Sequence, residues 1–450
     1  MKIKKFTAKN VHGVIPFNIA FNADLTFLIG INGSGKTSAL KLILGLISPS
    51  YLYLNLIDFE TAELVCTSDN GKEIKITAKV SGEENGKLTL SYIDENKDKF
   101  EDKFEKIPYR YIENTIDEEI NERFAPHIRK FENSNVVKQI RGIATPVFLG
   151  LDRRINEERE KFLDRRRGVF PSHKYTRMSQ DDAINFSLRD IQELIFNYIR
   201  QLPFKQNRFT EEFKSKIFST SFDFVESIEG LEKVDINEIQ SKKESVQKAI
   251  ENLNIGDINK KILEFFDKIQ AVGESADPIL KRKTGANSKM EVDIINKWFV
   301  NSPQLRRINN IITLSQEYQS KITELTEPIE RLKSLISNFF KEGKKELIVK
   351  NDGELKIKFG EKEASIYELS SGEKQILIMI AHLIFYEAQK QSGIFIIDEP
   401  ELSLHLAWQE IFVNSVLQAS PNTQFILATH SPAIIGTIEN EQKCQDLTRI

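Results

Sequence analysis

Gly30-Ile31-Asn32-Gly33-Ser34-Gly35-Lys36-Thr37 constrains this chain more than any other stretch. It fits the pattern G-x-x-x-x-G-K-[ST] with no position out of place. The mostly apolar run Leu25 to Ile29 before it reads as a buried strand, and Ser38 to Leu46 after it reads as an amphipathic helix. In that setting the glycines let the backbone curl so that its N–H groups face an anion at the positive end of the helix. Lys36 then reaches the β- and γ-phosphates of a nucleoside triphosphate as a point charge, and the Thr37 hydroxyl holds Mg²⁺. Asn32, Gly33, Ser34, Gly35 and Ser38 complete the candidate nucleotide-binding set.

Composition narrows the class around that loop. At 450 residues the chain buries a large core and forms two or three structural units. Charged residues make up 29%, yet the formal net charge is only -3, so any nucleic-acid surface has to be a local patch. Two cysteines, Cys66 and Cys444, make neither a disulfide framework nor a metal-ligand pattern and read as reduced thiols, which implies a cytoplasmic location. Met1 to Phe6 carries charge but no apolar stretch of signal-peptide length. No window nears the roughly 18 uninterrupted apolar residues that a spanning helix needs, so no membrane is expected.

Along the chain, Lys2 to Lys9 and Val14 to Phe21 alternate and predict an antiparallel pair feeding the main sheet. Tyr51 to Ile57, Glu63 to Thr67, Glu73 to Val80 and Lys87 to Ile93 predict strands of a meander, and Lys97 to Lys106 a solvated charge run. Thr145 to Arg154 reads as a short apolar strand ending in a basic turn. Arg153 or Arg154 there either senses a phosphate or caps a helix. Asp152 to Arg177 holds nine Lys/Arg against five Asp/Glu, which reads as a solvated helix face before a nucleic-acid patch. From about Ser179 to Lys345 the period turns helical, over Ala183–Arg200, Thr210–Phe224, Val234–Leu253, Ile258–Val272, Val292–Phe299 and Pro303–Phe340. Breaks are expected at Gly230, Asn254–Asp257, Gly273–Pro278 and Gly285. The long last run is not a clean heptad, so a compact insertion is expected ahead of an extended coiled coil. Glu346 to Lys350, Asp352-Gly353 and Leu355 to Phe359 then predict a hairpin.

The last ninety residues supply the rest of the chemistry. Leu369-Ser370-Ser371-Gly372-Glu373-Lys374-Gln375 opens an apolar helix, and Ser371, Gly372 and Glu373 form a second candidate anion site. Gly393 to Pro400 is a buried strand ending in Asp398-Glu399. Asp398 suits the Mg²⁺ shell, and Glu399 is placed to orient or deprotonate an attacking water. Thr423 to Pro432 is a further strand ending at His430, a catalytic candidate.

Taken in order, Gly30 to Thr37, Leu369 to Gln375, Ile394 to Glu399 and Thr429-His430 resemble the Walker A loop, signature motif, Walker B and switch histidine of the ATP-binding-cassette ATPases. The resemblance spans roughly 1–150 and 346–450. It implies an α/β P-loop NTPase of ABC-ATPase type, a mixed sheet with an antiparallel β meander, split by a large helical insertion. The implied domains are 1–165, an N-terminal lobe; 166–345, the helical insertion; and 346–450, a C-terminal lobe. It further implies ATP and Mg²⁺ as cofactors and a head-to-tail homodimer, or a higher even-numbered oligomer. Each ATP then lies between the loop of one subunit and Ser371-Gly372-Glu373 of another. The family glutamine has two candidate places, Gln139 and the Leu149 to Arg154 strand end.

An insertion between lobes is a trait of chromosome-maintenance and double-strand-break-repair ATPases. Asp398-Glu399-Pro400-Glu401-Leu402-Ser403-Leu404-His405 and Ala428 to Pro432 look most like ATPases of bacterial antiphage systems: overcoming-lysogenization nucleases, the Septu ATPase and retron-associated ATPases. Only twenty residues follow His430, too few for a Toprim nuclease domain, so the stand-alone type, closest to the Septu ATPase, is expected. That resemblance implies an ATPase controlling a separate nuclease subunit of HNH type in phage defence. The alternatives are a repair-type ATPase with nucleic acid as partner, and an ATP-gated clamp with negligible hydrolysis.

Overall fold

The computed structural model describes residues 1–82, 86–107, 117–143, 147–149, 180–220, 222, 234–253, 259–282, 286–388, 393–402 and 404–449. In chain order the first elements are β1 (Lys2–Val11), β2 (Ile15–Ala20), β3 (Leu25–Ile29), α1 (Lys36–Ile47), α2 (Tyr51–Leu56), β4 (Thr61–Thr67), β5 (Glu73–Ser81), β6 (Lys87–Ile93) and β7 (Lys99–Glu105). Next come α3 (Asp117–Glu132), α4 (Asn135–Arg141), β8 (Val147–Leu149), α5 (Gln180–Thr220), α6 (Ile236–Leu253), α7 (Asn259–Leu280), α8 (Lys289–Asn301) and α9 (Pro303–Phe340). The chain closes with β9 (Lys345–Val349), β10 (Leu355–Phe359), β11 (Lys362–Ser365), α10 (Ser371–Ala388), β12 (Ile394–Asp398), α11 (Leu406–Ala419), β13 (Gln424–Ala428), α12 (Pro432–Ile435), α13 (Ile438–Glu441) and β14 (Cys444–Asp446).

The chain divides into two compact units, Met1–Asn197 with Ile329–Ile450, and Tyr198–Pro328. The first holds a five-stranded sheet ordered β14-β3-β13-β12-β8, with every pairing parallel. Strands β12 and β13 are buried at every position, as strands covered on both faces must be, which is why their sequences are continuous apolar runs. Parallel strands share one carboxyl edge. That edge therefore collects the loop after β3, Asp398-Glu399 at the end of β12 and Thr429-His430 after β13.

A second, six-stranded antiparallel sheet runs β2-β1-β4-β5-β6-β7. The pair β1–β2 pairs as the alternation predicts, but it joins this sheet and not the parallel one, because β1 pairs with β4. The two sheets share one hydrophobic core, and a buried polar side chain also ties them together. Buried Gln424 accepts from Ile3 N–H (2.7 Å) and donates to the carbonyls of Ile3 and Asn22 (2.7 Å each).

Three further expectations are corrected. Tyr51–Leu56 is helical: the Ser50 hydroxyl caps Tyr53 N–H, and Tyr51, Leu54 and Asn55 turn one face inward at helical spacing. The charge run at Lys97 to Lys106 contains strand β7, with Phe104 buried between lysines and glutamates. Helix α5 passes through Pro203 without ending, and α7 passes through Gly273 and Pro278. Gly273 serves packing: a Cβ there would lie 3.0 Å from Val234 and 3.1 Å from Trp298. Trp298 belongs to the second unit's own core, with Phe266, Ile269 and Leu305. The predicted hairpin forms as β9–β10, and β11 extends it. Its turn needs Gly353, at φ +88°, because a Cβ would meet the Phe196 backbone at 2.7 Å.

Cys66 is buried, and burial pushes its thiol up to about 12, whereas Cys444 is half-buried. Arg153, Arg154 and the Asp152 to Arg177 stretch lie outside the described residues.

Candidate functional site

Strand β3 delivers the chain into Gly30 to Thr37, and α1 leaves from Gly35, its N-cap. The loop bends through three positive φ angles: 151° at Gly30, 83° at Gly33 and 87° at Gly35. Gly30 must also lack a side chain, since a Cβ would fall 2.6 Å from the Ser34 hydroxyl oxygen. Asn32 and Gly33 are exposed, Ser34, Gly35, Thr37 and Ser38 half-buried and Lys36 buried. The Lys36 ammonium donates to the carbonyls of Gly30 (2.9 Å) and Ile31 (3.3 Å). Burial lowers its affinity for a proton, while Glu399, Asp398 and Glu401 oppose that shift. Ser38 contacts His12, whose Nε2 lies 3.0 Å from its hydroxyl oxygen.

Thr37 joins the two halves of the chain. Its hydroxyl donates to Asp398 Oδ2 at 2.8 Å, across 361 residues of sequence. Asp398 is 4% exposed, and its other oxygen, Oδ1, is buried with no hydrogen-bond partner. Burial raises the Asp398 pKa, and the neighbouring Glu399 adds to the rise against the Thr37 bond and the charges of Lys41 and Lys36. A carboxylate oxygen orphaned beside a threonine hydroxyl fits a divalent cation, which would satisfy the oxygen and offset the burial.

Glu399 follows in a left-handed conformation, φ 50°, which costs a non-glycine residue about 1 kcal/mol or more. Its N–H donates to Ala428 O (2.8 Å), locking the end of β12 to the end of β13. Glu401 holds the next loop, with Oε2 accepting from the Thr429 hydroxyl (2.8 Å) and Oε1 from the His430 N–H (2.7 Å). Ser431 adds its own bonds, from its N–H to Thr429 Oγ1 (3.0 Å) and from its hydroxyl to Gln409 Oε1 (2.6 Å). The His430 residue itself is exposed at this edge.

Ser371 is exposed at the first turn of α10, and Gly372 beside it is buried. Ser370 and Glu373 cap the helix reciprocally: Ser370 N–H donates to Glu373 Oε2 (2.8 Å) and Glu373 N–H to Ser370 Oγ (3.4 Å). Lys345 also donates to both Glu373 oxygens (2.7 and 3.0 Å). Burial works against the Glu373 charge, but the bonds from Lys345 and Ser370 outweigh it and hold its pKa below the ordinary value. The Glu373 carboxylate thus braces the turn that presents Ser371. Gln139 sits exposed on α4, and the strand end beyond Leu149 lies outside the described residues.

The family described as AAA ATPase domain matches residues 1–435. The chain belongs to the AAA ATPase domain family. It is 37% identical over 89 residues to "Retron Vc95 probable ATPase" of Vibrio cholerae serotype O1 biovar El Tor, and 35% over 86 residues to "Retron Ec83 probable ATPase" of Escherichia coli. These matches cover 18% and 17% of this chain and only 17% and 16% of the relatives. Among solved structures it is similar to the Pyrococcus furiosus Smc head domain bound to the C-terminal domain of ScpA, at 14% identity and a TM-score of 0.37. That match covers 98% of this chain and 91% of the other. For the Thermotoga maritima SMC head domain the values are 13%, 0.34, 97% and 91%.

In this AAA ATPase domain the sequence reading omitted Glu401, Gln409 and Thr448. Thr448 Oγ1 accepts from Ile31 N–H (3.3 Å), so the segment after β14 touches the Gly30–Thr37 loop. The proximity of Glu401 to Asp398-Glu399 was the available signal. Glu401→Gln should leave ATP affinity near wild type while lowering kcat about 100-fold, because His430 loses its fixed backbone. Steady-state kinetics checks this. A fall in affinity with unchanged kcat would assign Glu401 to binding.

Proposed function

We propose that this domain binds ATP with Mg²⁺ and hydrolyses it at a site completed by a second copy of the chain. The carrying observation is the Thr37–Asp398 hydrogen bond beside the orphaned Asp398 Oδ1. The loop N–H groups and Lys36 bind the triphosphate. Thr37 and Asp398 would hold Mg²⁺, which would neutralise charge on the triphosphate. Glu399 takes a proton from the attacking water. The water oxygen bonds to the γ-phosphorus, the bond to the β–γ bridging oxygen breaks, and ADP and phosphate leave. His430, aimed by Glu401, meets the γ-phosphate side of the site. Exposed Ser371 at the head of α10 is the surface offered to the partner copy's nucleotide.

The biological reading is an ATPase subunit that dimerises on ATP and controls a separate nuclease, HNH in type, in antiphage defence. The resemblance to Septu and retron-associated ATPases supports it, as do the two relatives named as retron probable ATPases. Among the described residues no helix is long and apolar enough to cross a membrane.

The metal assignment has its own test. With ATP analogue present, Mg²⁺ should raise the melting temperature of the wild-type chain by several degrees. That is the shift expected when about 100 Kd of ligand adds about 2.7 kcal/mol. Asp398→Asn should lose the Mg²⁺ increment and keep the nucleotide increment. An undiminished Mg²⁺ increment in that variant would remove Asp398 from the metal shell.

A further inference from the structure

The six-stranded sheet buries one face under Phe6, Leu64, Ile76 and Leu90, and its opposite face is exposed or half-buried except at Thr77. Register places side chains far apart in sequence side by side on that outer face. Lys9 lies opposite Thr61, Thr61 opposite Lys79, Lys79 opposite Thr89, and Thr89 opposite Lys103. One transverse row therefore reads Lys-Thr-Lys-Thr-Lys across five strands, with all three lysines exposed.

The adjoining row carries the acids Glu63 and Glu101, and the row beyond it carries Lys75 and Lys99. Each acid pairs away from the first row, Glu63 with Lys75 at 2.8 Å and Glu101 with Lys99 at 2.5 Å. Lys79 and Lys103 also act on Glu101 through space, but its hydrogen bond goes to Lys99. The row of Lys9, Lys79 and Lys103 thus has no carboxylate within it; Glu63 and Glu101 on one side pair with lysines, and on the other side Glu105, opposite Lys87, lies 3.0 Å from His127 Nε2.

Strands about 4.8 Å apart set these lysines about 10 Å from one another and make the row about 19 Å long. That length spans five to six base steps at about 3.4 Å of rise. The threonine hydroxyls between the lysines are neutral donors of the kind that bond phosphate oxygens. These rows carry no aromatic side chain, so the face offers no platform for unstacked bases. We infer that the row Lys9-Thr61-Lys79-Thr89-Lys103 is a contact surface for the phosphate backbone of double-stranded nucleic acid, independent of base sequence. The formal net charge of -3 conceals it, because carboxylates elsewhere balance the sum.

The test measures binding of the full chain to a DNA duplex of about two helical turns over a salt series. Each lysine lost from the row removes about 0.9 from the slope of log K against log salt, so the triple variant Lys9→Gln, Lys79→Gln, Lys103→Gln should lower it by about 2.7. A control triple, Lys341→Gln, Lys358→Gln, Lys362→Gln, removes equal charge from exposed positions off this sheet and should keep the slope. Matching melting temperatures would show that both variants fold. The inference is overturned by no duplex binding in the wild-type chain near about 50 mM salt. An unchanged slope in the row variant, an equal fall in the control, or a single strand bound more tightly than the duplex would also overturn it.

Discussion

Lys36→Ala should weaken ATP binding by roughly 10² to 10⁴ while leaving the fold intact. In the structure the Lys36 ammonium sits over its own loop, bonded to the Gly30 and Ile31 carbonyls and surrounded by Asp398, Glu399 and Glu401. Those bonds exchange for phosphate oxygens, so nucleotide gains a charge that the loop already positions. Two charge-assisted hydrogen bonds are worth about 3–6 kcal/mol together, which corresponds to a loss of roughly 10² to 10⁴ in affinity. Calorimetric titration with a slowly hydrolysed analogue reads it directly. Lys36→Met, which keeps the buried stem, should give the same loss with a wild-type melting temperature. Retained affinity in either variant would mean that the backbone amides alone hold the triphosphate.

Glu399→Gln should do the opposite, keeping ATP and losing turnover. Its backbone is left-handed in either case, so the substitution leaves the local strain in place and removes only the carboxylate. Loss of a general base lowers kcat about 10²- to 10⁴-fold. A nucleotide that binds and does not turn over should accumulate in the closed assembly, which a single-turnover measurement separates from slow product release. Wild-type turnover in this variant would transfer the role of base elsewhere on the carboxyl edge, whereas negligible turnover in both the variant and the wild-type chain would leave the domain an ATP-gated clamp.

That Gly30–Thr37, Asp398-Glu399 and His430 follow strands of one sheet was legible because each is a local pattern: a glycine spacing, or an apolar strand ending in a polar side chain. What ties them together was not. Gln424 bonds across 421 residues to Ile3, and Thr448 reaches Ile31 across 417, and no periodicity announces such pairs. Tyr51 to Ile57 read as a strand because Tyr and Ile favour strands while Leu favours helices, and the Ser50 cap decided for a helix over Tyr51–Leu56. Gly273 and Pro278 read as a break, yet close packing of Trp298 against Gly273 holds α7 continuous. The lysine row was hidden for the same reason as Gln424, since its members come from β1, β5 and β7.

In the proposed dimer each ATP site is shared between two copies of the chain. Native mass measurement of Glu399→Gln with ATP and Mg²⁺ shows whether the copies come together. A species of twice the 51.8 kDa chain mass, or an even multiple of it, that carries ATP is expected. Lys36→Ala should not form that species. A single-chain mass that retains bound ATP would contradict the shared site.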